Sequence, residues 1–403
     1  MRVLLSALFC IFEDMEFIDE LTGNILPYWM DRMTDPEGGF YGRRDGLGNL
    51  VEGSPKGLIL NARILWTFAS AYRILGGKEY LETATRAKRE ILDRFADPEY
   101  GGAYWSLDGE GRPLDTKKQF YAIAFAIYGL AEYHRATKDA EALDAAIKLF
   151  ECIEEHSRDR KKGGYIEACT RDWGPIADMR LSDKDRNDAK TMNTHLHILE
   201  GYTCLYRVWK DESLREALKS LIEVFLDHIC GPDGHLDLFF DEDWKLQGDL
   251  QSYGHDIECS WLLWEAAQVL GDAQTTEKVK PVCEKMADAA MEGFTPDGGM
   301  IYEFDPETGR LDADRHWWVQ AETVVGCWNR FQMSGDEAWK VAAMCEWDFI
   351  RQHIICPEGE WYWSAKPEGD GKFTPNLDDD RAGFWKCPYH NGRMCMEMTE
   401  RCK

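Results

Sequence analysis

The chain has 403 residues, of which 44% are hydrophobic and 12% aromatic, so it is long enough to bury a large core. Its 73 aspartates and glutamates outnumber its 47 lysines and arginines, and the formal net charge is -26. Such an acidic surface repels phosphate backbones and anionic lipid, which argues against nucleic acid or membrane partners and favours a neutral small-molecule substrate.

The N-terminal segment imitates a short signal peptide. Arg2 precedes about ten apolar residues, but no small-residue cleavage site follows them. We therefore predict that residues 1–14 are a mis-called start or a disordered extension. We expect residues 15–403 to form a single catalytic domain, and no other segment is apolar for long enough to span a bilayer.

The 13 cysteines are odd in number and include no Cys-x-x-Cys pair. Four of them, Cys204, Cys259, Cys327 and Cys345, lie within apolar helical patterns, which favours buried reduced thiols over disulfides. This cysteine usage predicts a cytoplasmic protein. The acidic surface is compatible with a monomer.

In chain order, a turn rich in Pro, Asp and Gly, followed by aromatic or β-branched residues, recurs six times. The copies occupy residues 35–41, 97–105, 162–166, 231–236, 295–302 and 357–363. Apolar residues spaced by three and four before the later copies predict amphipathic helices over residues 78–95, 139–157, 212–229, 275–292 and 337–354. A more apolar helix follows each copy, beginning near Leu60, Gln119, Asn193, His255, Trp317 and His390.

These six units of outer helix, short hairpin and inner helix average about 65 residues and leave no room for a second domain. An outer helix with one apolar face and an inner helix apolar nearly all round are what a double ring requires. The fold class predicted is therefore all-α, an (α/α)6 barrel. The starts of the inner helices should surround one mouth, and the charged insertion at residues 176–190 should form a loop over it.

Polar and aromatic side chains cluster at the predicted starts of the inner helices. One histidine on an apolar helix is usually a core or cap residue, but three at equivalent positions of a repeat point to function. A charge at Arg63, on a helix that is apolar all round, must face a partner or a ligand. The candidates are Arg63, Tyr121, Asn193, His197, His255, Glu258, Trp317, Trp318, His390 and Arg393. His195, two residues from His197, points elsewhere and is expected to be structural.

The candidate histidines could serve either acid/base chemistry or metal binding. Metal ligands usually come as close pairs on one helix, whereas these histidines arrive singly from distant units, which favours a site without metal. Histidine can take and return a proton at neutral pH. Two histidines on opposite sides of a carbon, with a cation to hold a developing enediolate, are the parts of an epimerase.

Four segments carry a resemblance to a known family. They are residues 193–200 (NTHLHILE), 254–258 (GHDIE), 317–322 (WWVQAE) and 384–393 (FWKCPYHNGR). In this order, and over nearly the whole chain from about Met15, they resemble the cellobiose 2-epimerases of the N-acylglucosamine 2-epimerase superfamily. The resemblance implies an (α/α)6 barrel without a cofactor. It also implies reversible C2 epimerisation of the reducing-end glucose of β-1,4-linked disaccharides, for example cellobiose to glucosyl-mannose or lactose to epilactose.

The resemblance also implies a role for each candidate residue. His255 and His390 would be the acid/base pair at C2, with Glu258 orienting His255 and raising its basicity. His197 would assist ring opening and hold the open chain, while Arg63 would stabilise the enediolate. The residues implied in sugar binding are Tyr121, Asn193 and Arg393 for hydroxyl groups, and Trp317, Trp318 and Trp385 for the ring faces.

Three alternatives stay open at the level of the sequence. An aldose-ketose isomerase, or a mannose or N-acylglucosamine 2-epimerase of the same superfamily, would use similar chemistry. A glycoside hydrolase or lyase could share the fold. A binding protein without catalysis is the third alternative.

Overall fold

Two kinds of helix alternate along the chain in the structure, a computed structural model that describes residues 15–182 and 186–402. The prediction for residues 1–14 lies outside the described residues. The outer helices are α1 (Leu26–Arg32), α3 (Lys78–Glu90), α5 (Ala140–His156), α7 (Glu212–Val224), α9 (Ala273–Ala290) and α11 (Glu337–His353). The inner helices are α2 (Leu58–Leu75), α4 (Phe120–Thr137), α6 (Met192–Val208), α8 (Tyr253–Leu270), α10 (Trp317–Ser334) and α12 (Tyr389–Arg401).

The helix boundaries agree closely with the sequence pattern. Each inner helix begins within two residues of its predicted start, and three outer helices are extended by short π- or 3-10-helical turns at Ile91–Phe95, Phe225–Ile229 and Met291–Gly293. A further π-helical turn, Leu21–Ile25, precedes α1. Each inner helix packs against the next one, and α12 packs against α2, so the inner ring closes. The predicted (α/α)6 barrel is confirmed.

Burial separates the two rings as the pattern requires. The first fourteen residues of α2 and of α4 are all buried, because inner helices contact neighbours on every side. In α7, by contrast, buried positions are confined to one face and the remainder is partly or fully exposed. Adjacent inner helices approach closely at Gly129, where a Cβ atom would lie 2.7 Å from the carbonyl oxygen of Ala62.

Short strands join the units at the mouth. A single β-bridge closes each of the six turns, for example Ala96 with Ala103, so the predicted hairpins are reduced to one bridge each. Most strands before an inner helix instead pair with a strand of the following unit. The strands are β1 (Lys56–Gly57), β2 (Ser106–Leu107), β3 (Pro113–Asp115), β4 (Lys118–Gln119), β5 (Ala168–Cys169), β6 (Lys190–Thr191), β7 (Phe239–Phe240), β8 (Glu303–Asp305), β9 (Arg310–Asp312), β10 (Arg315–His316), β11 (Ser364–Gly369) and β12 (Lys372–Pro375).

A buried cation fastens the start of most inner helices to the preceding turn. Lys118 Nζ donates to Asp97 Oδ2 at 2.9 Å and to the Gly101 carbonyl at 2.7 Å. The next turn has the same arrangement, in which Lys190 Nζ donates to Asp159, the residue that corresponds to Asp97. We call these contacts the turn clamps. The first three units use Lys56–Asp35, Lys118–Asp97 and Lys190–Asp159, and the last two use Arg315–Asp297 and Lys386–Glu360.

The cysteines follow the prediction with one exception. Within the described residues all are free thiols, and Cys204, Cys259 and Cys327 are buried. Cys345 is exposed, because it lies on the solvent face of α11, so the expectation that it is buried is wrong. Among the helices of residues 15–182 and 186–402, none has the length and apolar character needed to cross a membrane.

Candidate active site

Three histidines lie within the first two turns of inner helices α6, α8 and α12, and in each the Nδ1 atom contacts another side chain of the protein. His197 Nδ1 is 3.0 Å from Glu200 Oε2, and His390 Nδ1 is 2.7 Å from Glu322 Oε1. His255 Nδ1 is 2.8 Å from the Ser252 hydroxyl. No described residue forms a hydrogen bond with the Nε2 atom of any of the three. Each imidazole is therefore oriented through Nδ1 and has Nε2 available for a substrate.

All three histidines are held in the neutral form. Burial lowers the pKa of His255 to about 3 and that of His197 to about 4, even though Glu200 opposes the shift at His197. Burial, followed by the charges of Arg63 and Arg393, lowers the pKa of His390 well below its ordinary value. Positive charge on His197 or His255 would also disfavour protonation of His390.

A second layer, built of buried ion pairs, lies beneath the histidines and is centred on Arg393, which is 1% exposed. Its Nη2 atom donates to Glu258 Oε1 at 2.7 Å and to Glu322 Oε1 at 2.6 Å. Its Nη1 atom contacts Glu200 and the Tyr389 hydroxyl. Because Glu200 and Glu322 also hold His197 and His390, the Arg393 layer fixes the carboxylates that orient two of the histidines.

Arg63 has the opposite environment. Its Nη2 atom donates to the Tyr121 hydroxyl at 2.8 Å, and its Nη1 atom lies 3.9 Å from Cys387 Sγ. The guanidinium carbon is 4.1 Å from the ring centroid of Phe125 and 4.9 Å from that of Tyr389. No carboxylate within the described part of the chain pairs with Arg63, although the residue is only 3% exposed. A buried cation without an anion is costly unless a ligand supplies the missing charge.

Aromatic rings line the same end of the barrel. The ring centroid of Trp318 lies 4.7 Å from that of His255 and 5.6 Å from that of His390, so the indole packs against both histidines. This position requires Gly254, because a Cβ atom there would lie 2.7 Å from the Trp318 ring. Half-buried Trp385 lies 6.2 Å from the ring of Tyr121.

Asn193 and the described part of the insertion lie near the starts of inner helices. The side-chain oxygen of Asn193 is buried and has no hydrogen-bond partner within the described residues. In the insertion at residues 176–190, the Met179 carbonyl accepts a hydrogen bond of 3.0 Å from Gln119, the residue before α4. The insertion therefore contacts the start of an inner helix.

The family follows from comparison with known proteins. A model of the N-acylglucosamine 2-epimerase (GlcNAc 2-epimerase) family matches residues 39–386. The chain belongs to this family. The cellobiose 2-epimerase of Bacteroides fragilis is 58% identical over 386 residues, which cover 95% of this chain and 97% of the relative. That of Ruminococcus albus is 42% identical over 389 residues, 96% of this chain and 98% of the relative.

The solved structures of the family agree with the fold. The structure of the cellobiose 2-epimerase from Bacillus thermoamylovorans superposes with a TM-score of 0.90 at 39% identity. The aligned region covers 96% of this chain and 99% of the solved chain. The double ring of helices is therefore shared with experimentally solved members of the family.

Two of the expected roles are wrong. Arg393 cannot bind sugar hydroxyls, because both its Nη atoms are taken up by carboxylates and Tyr389 and the residue is fully buried. Glu258 does not orient His255: its carboxylate pairs with Arg393, and the Nδ1 atom of His255 faces Ser252. The expectation for His195 is confirmed, since Nδ1 bonds the Thr191 carbonyl and Nε2 accepts from the Tyr165 amide.

Reasoning from the sequence missed the carboxylates that hold the histidines, Glu200 and Glu322, as well as Ser252. The signal that singled out Arg63 was also present for Glu200 and Glu322, because both are charges within apolar inner helices. Both are at most 3% exposed. The high frequency of acidic residues in this chain hides that signal.

Two groups of side chains have the spacing of metal ligands. Glu258, Glu322 and His390 offer ligand atoms within 4.8 Å of one another, and so do half-buried Asp312, Asp314 and His316 at the rim. In the first group the Arg393 guanidinium already donates to one oxygen of each carboxylate, and so supplies the positive charge that a metal ion would bring. The arrangement suits an internal ion pair better than a metal centre.

Proposed function

We propose that this chain is a cellobiose 2-epimerase. It would invert C2 of the reducing-end glucose of β-1,4-linked disaccharides, converting cellobiose to glucosyl-mannose and lactose to epilactose. The observation that carries this proposal is the pair of neutral histidines, His255 and His390, which both pack against Trp318 and whose Nε2 atoms have no hydrogen-bond partner among the described residues. The 58% identical relative that bears this name supports the substrate class.

The two histidines differ in what holds them, and the difference suits a proton exchange. A neutral imidazole can accept the C2 proton at Nε2. When it does so, the imidazolium of His390 would be stabilised by Glu322, whereas that of His255 would have only the Ser252 hydroxyl. One histidine removes the proton from one face of C2. The other, protonated from water, returns a proton from its Nε2 atom to the opposite face of the planar enediolate, and the first then releases its proton to water.

Arg63 and His197 would handle the oxygen atoms of the open-chain sugar. When the C2 proton leaves, negative charge develops on the oxygens of the enediolate, and Arg63 is the buried cation without an anion of its own. His197, oriented by Glu200, presents Nε2 for ring opening and for holding the open chain. Such preorganised charge stabilises an intermediate strongly, because no reorganisation is needed as the charge appears.

Sugar binding would fall to groups that the protein leaves unpaired. The free side-chain oxygen of Asn193 would accept a hydrogen bond from a sugar hydroxyl. The Tyr121 hydroxyl, which accepts from Arg63, would donate one to the sugar. Trp318 and half-buried Trp385 offer ring faces to the apolar sides of the two sugar rings, with Trp317 behind them, 3% exposed and packed on Trp363.

We also propose that the enzyme works without metal or other cofactor, as a cytoplasmic monomer consisting of one domain. Proton transfer at C2 returns every electron to its starting atom, so no redox partner is needed. The free thiols of the described chain suit a reducing compartment. Activity that persists in the presence of a chelator would support independence from metal. Light scattering of the purified protein tests the monomeric state.

The deciding experiment is carbon NMR of cellobiose incubated with the protein in deuterated water. A reducing-end mannose unit carrying deuterium at C2 is expected, because the proton passes through exchangeable imidazole. A ketose product would make the chain an aldose-ketose isomerase, and free glucose would make it a hydrolase. If the cellobiose spectrum stays unchanged, incubation with mannose and with N-acetylglucosamine would test the other epimerases of the superfamily.

A further inference from the structure

We propose that Cys387 is a positioning residue for Arg63. It holds the guanidinium through a neutral contact, so that the first anion the guanidinium meets is the enediolate. This inference rests on the proposed epimerase function and adds a requirement to it: the contacts of Arg63 must be uncharged as well as correctly placed.

All the contacts that Arg63 makes with described residues are uncharged. Cys387, which is 0% exposed, places Sγ 3.9 Å from Nη1, and the Tyr121 hydroxyl accepts from Nη2. Aromatic faces cover the remainder of the group, and Nε is buried without a partner within the described residues. The cation is therefore held in position without its charge being compensated.

The neighbouring carboxylates do not supply that charge. Glu200 accepts a hydrogen bond from the hydroxyl of Tyr389, and the ring centroid of Tyr389 lies 4.9 Å from the guanidinium carbon of Arg63. Glu200 and Glu258 are, however, paired with Arg393 in the layer below. The site thus contains two buried arginines one layer apart, one paired with carboxylates and one with none.

The thiol stays neutral even beside a cation. Burial raises the pKa of Cys387, and the charge of Arg63 only partly opposes this shift. A serine or cysteine side chain can accept from a guanidinium without bringing a charge, whereas an aspartate in the same place would form an ion pair with it. An ion pair formed in advance would remove most of the attraction that Arg63 has for the enediolate.

The substitution that tests the inference is Cys387→Asp, with Cys387→Asn as its matched control. The two side chains have nearly the same volume as each other and as cysteine, and only one carries a charge. Losing one preorganised stabilising group costs about 100-fold to 1,000-fold in kcat. We expect kcat of Cys387→Asp to fall at least about 100-fold below that of Cys387→Asn, with KM changed much less, because the neutral ground-state sugar does not require the charge.

Three outcomes separate the possibilities. If Cys387→Asp keeps a kcat close to that of Cys387→Asn, the charge state of this contact is irrelevant and the inference is wrong. If both variants lose activity equally, the thiol acts through its shape, which also overturns it. A wild-type chain that fails to epimerise any of the sugars named above would overturn the proposed function instead.

A binding measurement on the wild-type chain covers the case in which Cys387→Asp does not fold. Cellobionate carries a carboxylate at C1, where the enediolate becomes negative, and cellobiitol is its neutral counterpart. An uncompensated Arg63 should make the protein bind cellobionate at least about tenfold more tightly than cellobiitol. Equal affinities in titration calorimetry would show that the positive charge is already neutralised, and the inference would be abandoned.

Discussion

The two ends of the inner helices differ in whether their charged side chains are paired. At the C-terminal ends of these helices, which we call the closed end, Arg207 pairs with Glu265 at 2.6 Å and Arg73 with Glu132 at 2.6 Å. Arg207 and Glu265 also line a cavity of about 500 Å³, and each of the three arginines that line it has a carboxylate partner. At the mouth, Arg63 has no carboxylate within the described chain, and three imidazoles have a free nitrogen. Groups left unpaired at a cost in stability therefore single out the mouth, the end at which we propose that substrate binds.

The largest effect expected at the mouth is on the reaction itself. His255→Gln should lower kcat about 1,000-fold, since loss of a general base costs about 100-fold to 10,000-fold. The urea midpoint should barely move, because among the described residues the His255 ring has a hydrogen bond only to Ser252. His156→Gln, on an outer helix, serves as the control for kcat, which it should leave unchanged. A His255→Gln enzyme with normal kcat would remove this histidine from the acid/base pair.

A substitution in the Arg393 layer below the mouth should mainly lower the free energy of unfolding. Arg393→Met leaves Glu200, Glu258 and Glu322 buried without their common cation. Breaking a buried ion network in this way costs about 3–5 kcal/mol. Urea unfolding of the variant measures that cost, and activity should fall with it because two histidines lose their orientation. A loss below about 1 kcal/mol would mean that the carboxylates are protonated or solvated.

The neutral histidines should make the folded state sensitive to acid. The pKa of buried His197 is lowered to about 4 in the folded protein, so the unfolded chain binds more protons between about pH 4 and pH 6.5. Stability therefore falls as the pH is lowered through this range, by about 2 kcal/mol for this residue between about pH 7 and pH 5. Urea titrations at the two pH values should show a smaller loss for His197→Gln than for the wild type. Equal losses would contradict the assignment.

The smallest effect is expected at the closed end. Arg207 and Glu265 are each more than a quarter exposed, and solvent-accessible pairs contribute about 0–1 kcal/mol. Arg207→Met should change the free energy of unfolding by less than about 1 kcal/mol and leave kcat unchanged within about twofold. A large loss of kcat in this variant would show that the two ends are coupled, and the contrast between them would no longer hold.

The architecture could be predicted from the sequence because it depends on local signals. The repeated turns and the spacing of apolar residues placed the starts of α6 and α8 within two residues of Asn193 and His255. The division into two rings could be predicted because the outer helices are apolar on one face and the inner helices on all faces. Both patterns can be read from the sequence of a single helix.

The partners of the site residues could not be predicted, because they depend on which inner helices face each other. Glu322 of α10 meets His390 of α12, 68 residues away, and no local pattern indicates this pairing. Glu258 was assigned to His255 because the two lie on one helical face. Arg393, which arrives from α12, draws the Glu258 carboxylate away instead.

The position of α12 has a consequence for the synthesis of this protein. This helix brings His390 and the Arg393 layer, and it closes the ring by packing against α2, which the ribosome made more than 300 residues earlier. A growing chain that already contains His197 and His255 still lacks the second proton carrier and the cation that organises its carboxylates. Catalysis would thus begin only once the last described helix has docked, and unfinished chains would not act on sugar.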